Sequence, residues 1–527
     1  MRCLAAVLLA TSSLLAQEKP LDTVRRIKVE AFQNSKVMEQ LFFLSDLYGP
    51  RLTASPEFNQ AADWAVGRLK EYGLTNVHTE KYPFGRSWSL ETYNIEMTAP
   101  RFSHLTAIPL AWSASTNGVL TGEIMYAPFV SSGSFDIAKN REAFHEYEAK
   151  WKGKLRGKIV LVSEPPALNP STQPRFRRLT DADLAEIAHS PDPYKLPPAQ
   201  SLDDIKMPAK AEELGKLMNQ LPPPLMFQLY DRYEDLNDEQ GRFFSEEGAA
   251  AVIRADERAR NGLVFGEAAG PHTSKDPLAP PTFVVTEEQY SRMTRLLEDK
   301  HTPELRINLK ANSSTTDVDA LNIIGEIRGE TKPDEVVMIG AHFDSWHSGT
   351  GATDNGAGSA VMIEVMRILK AAHIKLDRTV RIGLWSGEEE GLYGSRAYVK
   401  QHFGPERDKF EVYLNLDNGS GKIRGVYLQE NDAARPLFEA ALAPFRDMGV
   451  TTISLRNTGG TDHLSFDGVG LPGFQFIQDP LDYGSTTHHS AADTYSHAVP
   501  EDLMQAAAVI ASCVTDFANQ QHQFPRK

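Results

Sequence analysis

Between Val336 and Leu369 the chain passes from an apolar run into a glycine-rich loop carrying His342, Asp344 and the lone carboxylate Asp354. A long amphipathic stretch then begins at Ala357. That order predicts a buried strand, a ligand-bearing loop and a helix, the arrangement in which an α/β sheet presents chemistry beyond the carboxyl ends of its strands. A strand that is apolar on both faces also needs neighbours on both sides. RTVRIGLWSGEEE (378–390), KFEVYLNLDNG (409–419) and GFQFIQD (473–479) supply them. The first two deliver an acidic cluster immediately after their apolar core.

The 527 residues exceed what one compact core holds, so two or more domains are expected. The formal charge of −15 argues against a nucleic-acid partner, which would require a basic stripe to displace counterions. One arginine, an apolar stretch from Leu4 to Leu15 and small residues around Ala16 match a secretory signal peptide over residues 1–16. No later run approaches transmembrane length. A secreted or periplasmic protein is expected, and after cleavage near Ala16 it keeps only Cys513, without an internal disulfide. From Leu21 to about Pro100 the pattern is helical and then extended, with Ser55 opening a helix. It reads as scaffold without catalytic loops.

Each polar candidate is ordinary alone, since an Asp after a strand is commonly a turn or cap residue and three glutamates in a row commonly start a solvated helix. Their convergence carries the weight. His342, Asp354, Glu388, Glu389, Asp417 and His489 all fall in polar loops, most of them following strands of one sheet, and like carboxylates in one crevice cannot all ionise without cations. Imidazole and carboxylate without thiolate suit zinc or a related divalent ion, and a shared carboxylate would make a two-metal hydrolytic site, with Asp354 as the natural bridge. Gly349, Gly351, Gly356 and Gly358 around it are expected to let backbone approach the ion.

Five blocks in order, His342-Phe-Asp344-Ser, Gly351-Ala-Thr-Asp354-Asn-Gly, Gly387-Glu388-Glu389-Glu390-Gly391, Asn415-Leu-Asp417-Asn and His489-Ser-Ala-Ala-Asp493-Thr494, resemble the motif set of the M28 family of zinc exopeptidases. The resemblance implies an α/β fold with a mixed, largely parallel central sheet flanked by helices, two Zn2+ per chain and peptide substrates. It implies that His342 and Asp417 hold one metal, that Glu389 and His489 hold the other, and that Asp354 bridges. Glu388 becomes the general base, Asp344 orients His342 through its second ring nitrogen, and His488 is a candidate donor to the developing oxyanion. Gly157-Lys-Ile-Val-Leu-Val and Glu247-Gly-Ala-Ala-Ala-Val-Ile are similar to the protease-associated domain, a β-rich module inserted in such enzymes. The expected division is 17–115 and 311–527 for the peptidase domain and 116–310 for the insertion, with a proline-rich, helical excursion at about 166–240.

Competing hydrolytic signatures fail: there is no Gly-x-Ser-x-Gly elbow, and His145-Glu146 has Ala149 where a second histidine would belong. Within the family, an aminopeptidase or dipeptidase is the leading expectation. A carboxypeptidase of the glutamate carboxypeptidase type stands as the alternative, with Arg456 as its carboxylate anchor. A glutaminyl cyclase-like enzyme and a non-catalytic binding protein both predict missing ligands, whereas every ligand position and the base are filled. The oligomeric state stays open, a homodimer among the compatible assemblies.

Overall fold

The computed structural model describes residues 18–133, 135–165, 174–189, 201–256, 258–404 and 406–527. The expected signal segment at 1–16 lies outside them, as do 166–173 and 190–200 of the excursion. No helix among the described residues is long and apolar enough to cross a membrane.

In chain order the strands are β1 (Thr75–Gly85), β2 (Trp88–Ala99), β3 (Ser103–His104), β4 (Ala107–Pro109), β5 (Leu120–Phe129), β6 (Ile159–Ser163), β7 (Ala251–Ala255), β8 (Thr282–Val285), β9 (Glu304–Ser313), β10 (Val318–Ile327), β11 (Lys332–His342), β12 (Arg378–Trp385), β13 (Phe410–Asn415), β14 (Ile423–Tyr427), β15 (Thr452–Ser454) and β16 (Gly473–Gln478). They form two eight-stranded sheets. The first runs β1-β10-β12-β11-β13-β16-β14-β15, and its centre, β12 to β16, is parallel. Antiparallel pairs flank this centre on both sides, and the edge pair β14-β15 is parallel again, so the sheet is mixed and largely parallel, as expected. The apolar runs are central: β13 and β16 are buried throughout, and β11 from Val336 onward. The helices Pro56–Glu71, Ala357–Ala371 and Pro500–Asn519 share one core with these strands. Each fully buried Leu, Ile or Val there contributes roughly 1.5–3 kcal/mol.

The second sheet runs β3-β2-β9-β5-β6-β7-β8-β4, with β5 to β8 parallel. It begins earlier than the boundary expected at 116. β1 and β2 are consecutive yet part company: β1 pairs with β10, whereas β2 pairs with β9. Ile95 and Met97 of β2 are buried in the core of the second sheet, which fixes this choice.

The described part of the excursion is largely helical. Thr180 and Asp183 form a reciprocal capping box on helix Asp181–Ala188. The proline triplet opens helix Pro223–Glu246, where a missing N–H at the first turn costs nothing. This helix continues without a break past residue 240, the expected end of the excursion. Leu225, Met226, Leu229, Phe243 and Phe244 bury one of its faces against Phe144 and Val160. Arg178 reaches Asp479 at 2.9 Å and Asp502 at 2.6 Å, and so pins the excursion to the first sheet.

Candidate metal centre

The register of the parallel strands brings the predicted residues together. His342 ends β11 directly opposite Trp385 of β12, and Gly340 lies opposite Asn415 of β13. Glu388, Glu389 and Asp417 therefore leave neighbouring strands at the same sheet edge as His342. Asp354 comes from the loop leading into helix Ala357–Ala371, and His488 and His489 come from the turn beyond β16.

Two groups form, joined by one carboxylate. His342 Nε2 lies 3.2 Å from Asp354 Oδ1 and 3.3 Å from Asp417 Oδ1, with Glu388 Oε2 at 3.9 Å. On the other side His489 Nε2 lies 3.1 Å from Glu389 Oε2 and 3.6 Å from Asp354 Oδ2. His488 Nε2 is 3.9 Å from the same Asp354 oxygen, and its ring stacks on that of His489. Each oxygen of Asp354 thus faces a different group.

These residues fit a metal. His342 Nε2 and Asp417 Oδ1, which face each other, and Asp354 Oδ2, which faces His489, are buried without a hydrogen-bond partner, which would be costly unless a cation satisfied them. His342, Asp354 and Glu389 can converge on one ion, as can His342, Glu388 and Asp417, or Asp354, His488 and His489. The electrostatics of the protein groups alone also call for positive charge. Burial disfavours protonation of His342, but Asp417 and Glu388 outweigh it and push its pKa well up. Burial likewise opposes ionisation of Asp354, yet His342, His488 and His489 hold it well below the usual carboxylate range. Burial, reinforced by Asp417, Asp462 and Glu389 and opposed by His342, raises Glu388 well above that range. Burial and then Asp354 raise Glu389 to about 7. His488 goes the other way: burial and its neighbour His489 lower it to about 3.

A surrounding layer fixes the cluster. His342 Nδ1 faces Asp344, 3.2 Å from its main-chain carbonyl and 3.4 Å from its carboxylate. Thr53 Oγ1 donates to Asp344 Oδ2 at 2.9 Å and accepts from Gly387 N, tying the β11 loop to the β12 loop. Asp493 accepts from the N–H groups of Thr353 and Asp354 and so aims Asp354. Glu267, from the loop between β7 and β8, lies 3.5 Å from His489 Nδ1. The second sheet therefore supplies a group to the cluster. The motif blocks include Asp493 without revealing its role, and neither Thr53 nor Glu267 carries any local signal.

Two of the glycines around Asp354 sit where segments cross closely. A side chain at Gly351 would collide with Ser345, and one at Gly358 with the carbonyl of Leu416 and the side chain of Asn355. Their small size lets protein segments pack against each other. Arg456 lies away from the cluster and contacts the carbonyl of Glu186. Gly460 borders a cavity of about 700 Å³ between the cluster, the second sheet and helix Pro223–Glu246, and Glu388, Glu389 and His488 open into it.

Residues 322–514 match the model of "Peptidase family M28", and this stretch holds every predicted site residue. Over the wider chain, carboxypeptidase Q of Mus musculus is 24% identical across 497 residues, covering 94% of this chain and 88% of its own length. A peptidase M28 precursor from Shewanella amazonensis SB2B superposes with a TM-score of 0.67 at 22% identity, covering 96% of this chain and 98% of that one. BSAP, described as a zinc aminopeptidase from Bacillus subtilis, gives 0.56 at 20% identity over 92% and 95%.

Proposed function

We propose that this chain is a secreted two-zinc exopeptidase that removes N-terminal residues from short peptides. The observation that carries this is the division of Asp354, whose Oδ1 faces His342 and Asp417 while Oδ2 faces His489. His342 and Asp417 would hold one zinc, Glu389 and His489 the other, and Asp354 both. Bound there, zinc supplies Lewis acidity to the scissile carbonyl and to the attacking water.

The chain's own groups do the rest. Glu388, a ligand to neither ion in this assignment, takes the proton of the attacking water and hands it to the leaving amine. His488, neutral near pH 7, can donate a hydrogen bond to the oxygen that gains charge in the transition state. Asp344 and Glu267 hold the two ligand histidines by their second nitrogens. The cavity's carboxylates, including Glu234, Glu267 and Glu390, suit a substrate bearing a free α-amine. The description of BSAP as a zinc aminopeptidase supports the same reading. The second sheet, with the expected insertion at 116–310, serves as a protease-associated module walling the substrate cavity.

Glu388→Gln tests the mechanism. Hydrolysis of unblocked dipeptides should fall by about 10²–10⁴-fold while zinc content stays at the wild-type level. Equal cleavage by both proteins would refute the proposed base.

A further inference from the structure

Arg254, on β7 of the second sheet, lines the same cavity as Glu388 and the two histidines. Its guanidinium has only neutral, distant partners, Asn237 Oδ1 at 3.4 Å and the carbonyl of Ala269 at 3.5 Å. The arginines around it are all paired. Arg258 lies 2.6 Å from Asp256 and 2.7 Å from Glu267, Arg242 lies 3.3 Å from Asp276, and Arg260 bonds Glu287. Among the described residues no carboxylate forms an ion pair with Arg254. Burial lowers its pKa to about 10, with Glu267 opposing, so it stays charged at neutral pH. A half-buried guanidinium that faces a cavity without an anion is open to a ligand, and its planar fork is matched to one ligand above others, a carboxylate held by two parallel hydrogen bonds.

We propose that Arg254 binds the free C-terminal carboxylate of the substrate and thereby restricts this peptidase to very short peptides, dipeptides foremost. The proposal rests on the peptidase mechanism above. The ligand cluster and Arg254 share one cavity, and Glu267 borders both, facing His489 Nδ1 and exerting its field on Arg254. Helix Pro223–Glu246 lines one side of this cavity of about 700 Å³ through Tyr230, Tyr233, Glu234 and Asn237, so Arg254 and the ligand cluster face a common, bounded space. Asn237 on that helix braces the guanidinium, so the excursion contributes to specificity. For a dipeptide, release of the N-terminal and of the C-terminal residue are one reaction, and the carboxylate anchor sought in Arg456 is found in Arg254. The ligand chemistry is a carboxylate, which a substrate can present at its C-terminus or on an acidic side chain.

The test compares kcat/KM for alanyl-alanine, its C-terminal amide and alanyl-aspartic acid diamide's parent monoamide, Ala-Asp-NH2, whose sole carboxylate is on the side chain. Wild type should favour the free acid over the alanine amide by at least about tenfold, mainly through KM, and Ala-Asp-NH2 should behave as the amide does. Arg254→Ala should bring the acid-to-amide ratio close to one, and Arg254→Met, similar in volume, replaces it should the alanine variant not fold. A wild-type ratio near one, a ratio retained in the Arg254 variants, or Ala-Asp-NH2 matching the free acid would each overturn the proposal. Glu388→Gln separates the two levels: activity unaffected by that change defeats the mechanism, whereas the ratio alone reports on Arg254.

Discussion

Asp354 is the residue on which the two halves of the site depend, because its oxygens face different histidines and its main chain is held by Asp493. His488 sits beside it, and the proposed assignment of ligands does not use it. His488→Ala should therefore lower kcat by about 10²-fold with zinc retained, in the range of other lost oxyanion donors; zinc loss in that variant would instead make His488 a ligand. The proposed ligand residues were legible because each occupies a short motif, and most of them follow an apolar run. Thr53 was not, since its bond to Asp344 spans 291 positions and nothing near Thr53 in the sequence announces it. Arg254 was hidden for a related reason: an arginine in a strand reads as a surface residue until the fold shows that its neighbours' carboxylates are already taken.

At the level of elements, the β11 loop is held by one buried side chain. Arg51 donates to the carbonyls of Leu44 and Phe343 at 2.7 Å, Gly351 at 2.9 Å and Thr350 at 3.2 Å. Arg51→Ala would strand these acceptors and release the segment that bears Asp344 and Asp354. Chemical denaturation should show a loss on the order of 3 kcal/mol, accompanied by weaker zinc retention. The central strands were readable from their unbroken apolar runs. The partition of β1 and β2 was not, because both alternate in the same way and only long-range pairing assigns them to different sheets. Helix Pro223–Glu246 was obscured by its proline start and its dense charge, although its apolar positions recur at helical spacing.

Across the molecule, two buried histidines must stay neutral, and one of them lies where the two sheets meet. His347 Nε2 contacts the carbonyl of Pro109 in β4 at 2.7 Å, and burial lowers its pKa to about 4. His463, beside the Thr458 carbonyl at 3.0 Å, is also lowered by burial to about 4. Both values lie below the ~6.5 of an unfolded histidine, so the unfolded chain takes up these protons first. Their contribution is complete above about pH 6.5 and is lost as pH falls towards 4, on the order of 3 kcal/mol for each. Urea midpoints measured from pH 7 to pH 4.5 should decline, and His347→Gln should flatten the decline; an unchanged slope in that variant would assign the effect to other groups.

The second sheet also borders the cluster through Glu267 and the cavity through Arg254, so the site belongs to both sheets. Yet everything chemical depends on cations between carboxylates that otherwise repel. Elemental analysis of protein purified without chelators tests this most directly. Two zinc ions per chain, falling in Asp354→Ala, is the predicted result, and a stoichiometry near zero or one in active wild-type protein would contradict it.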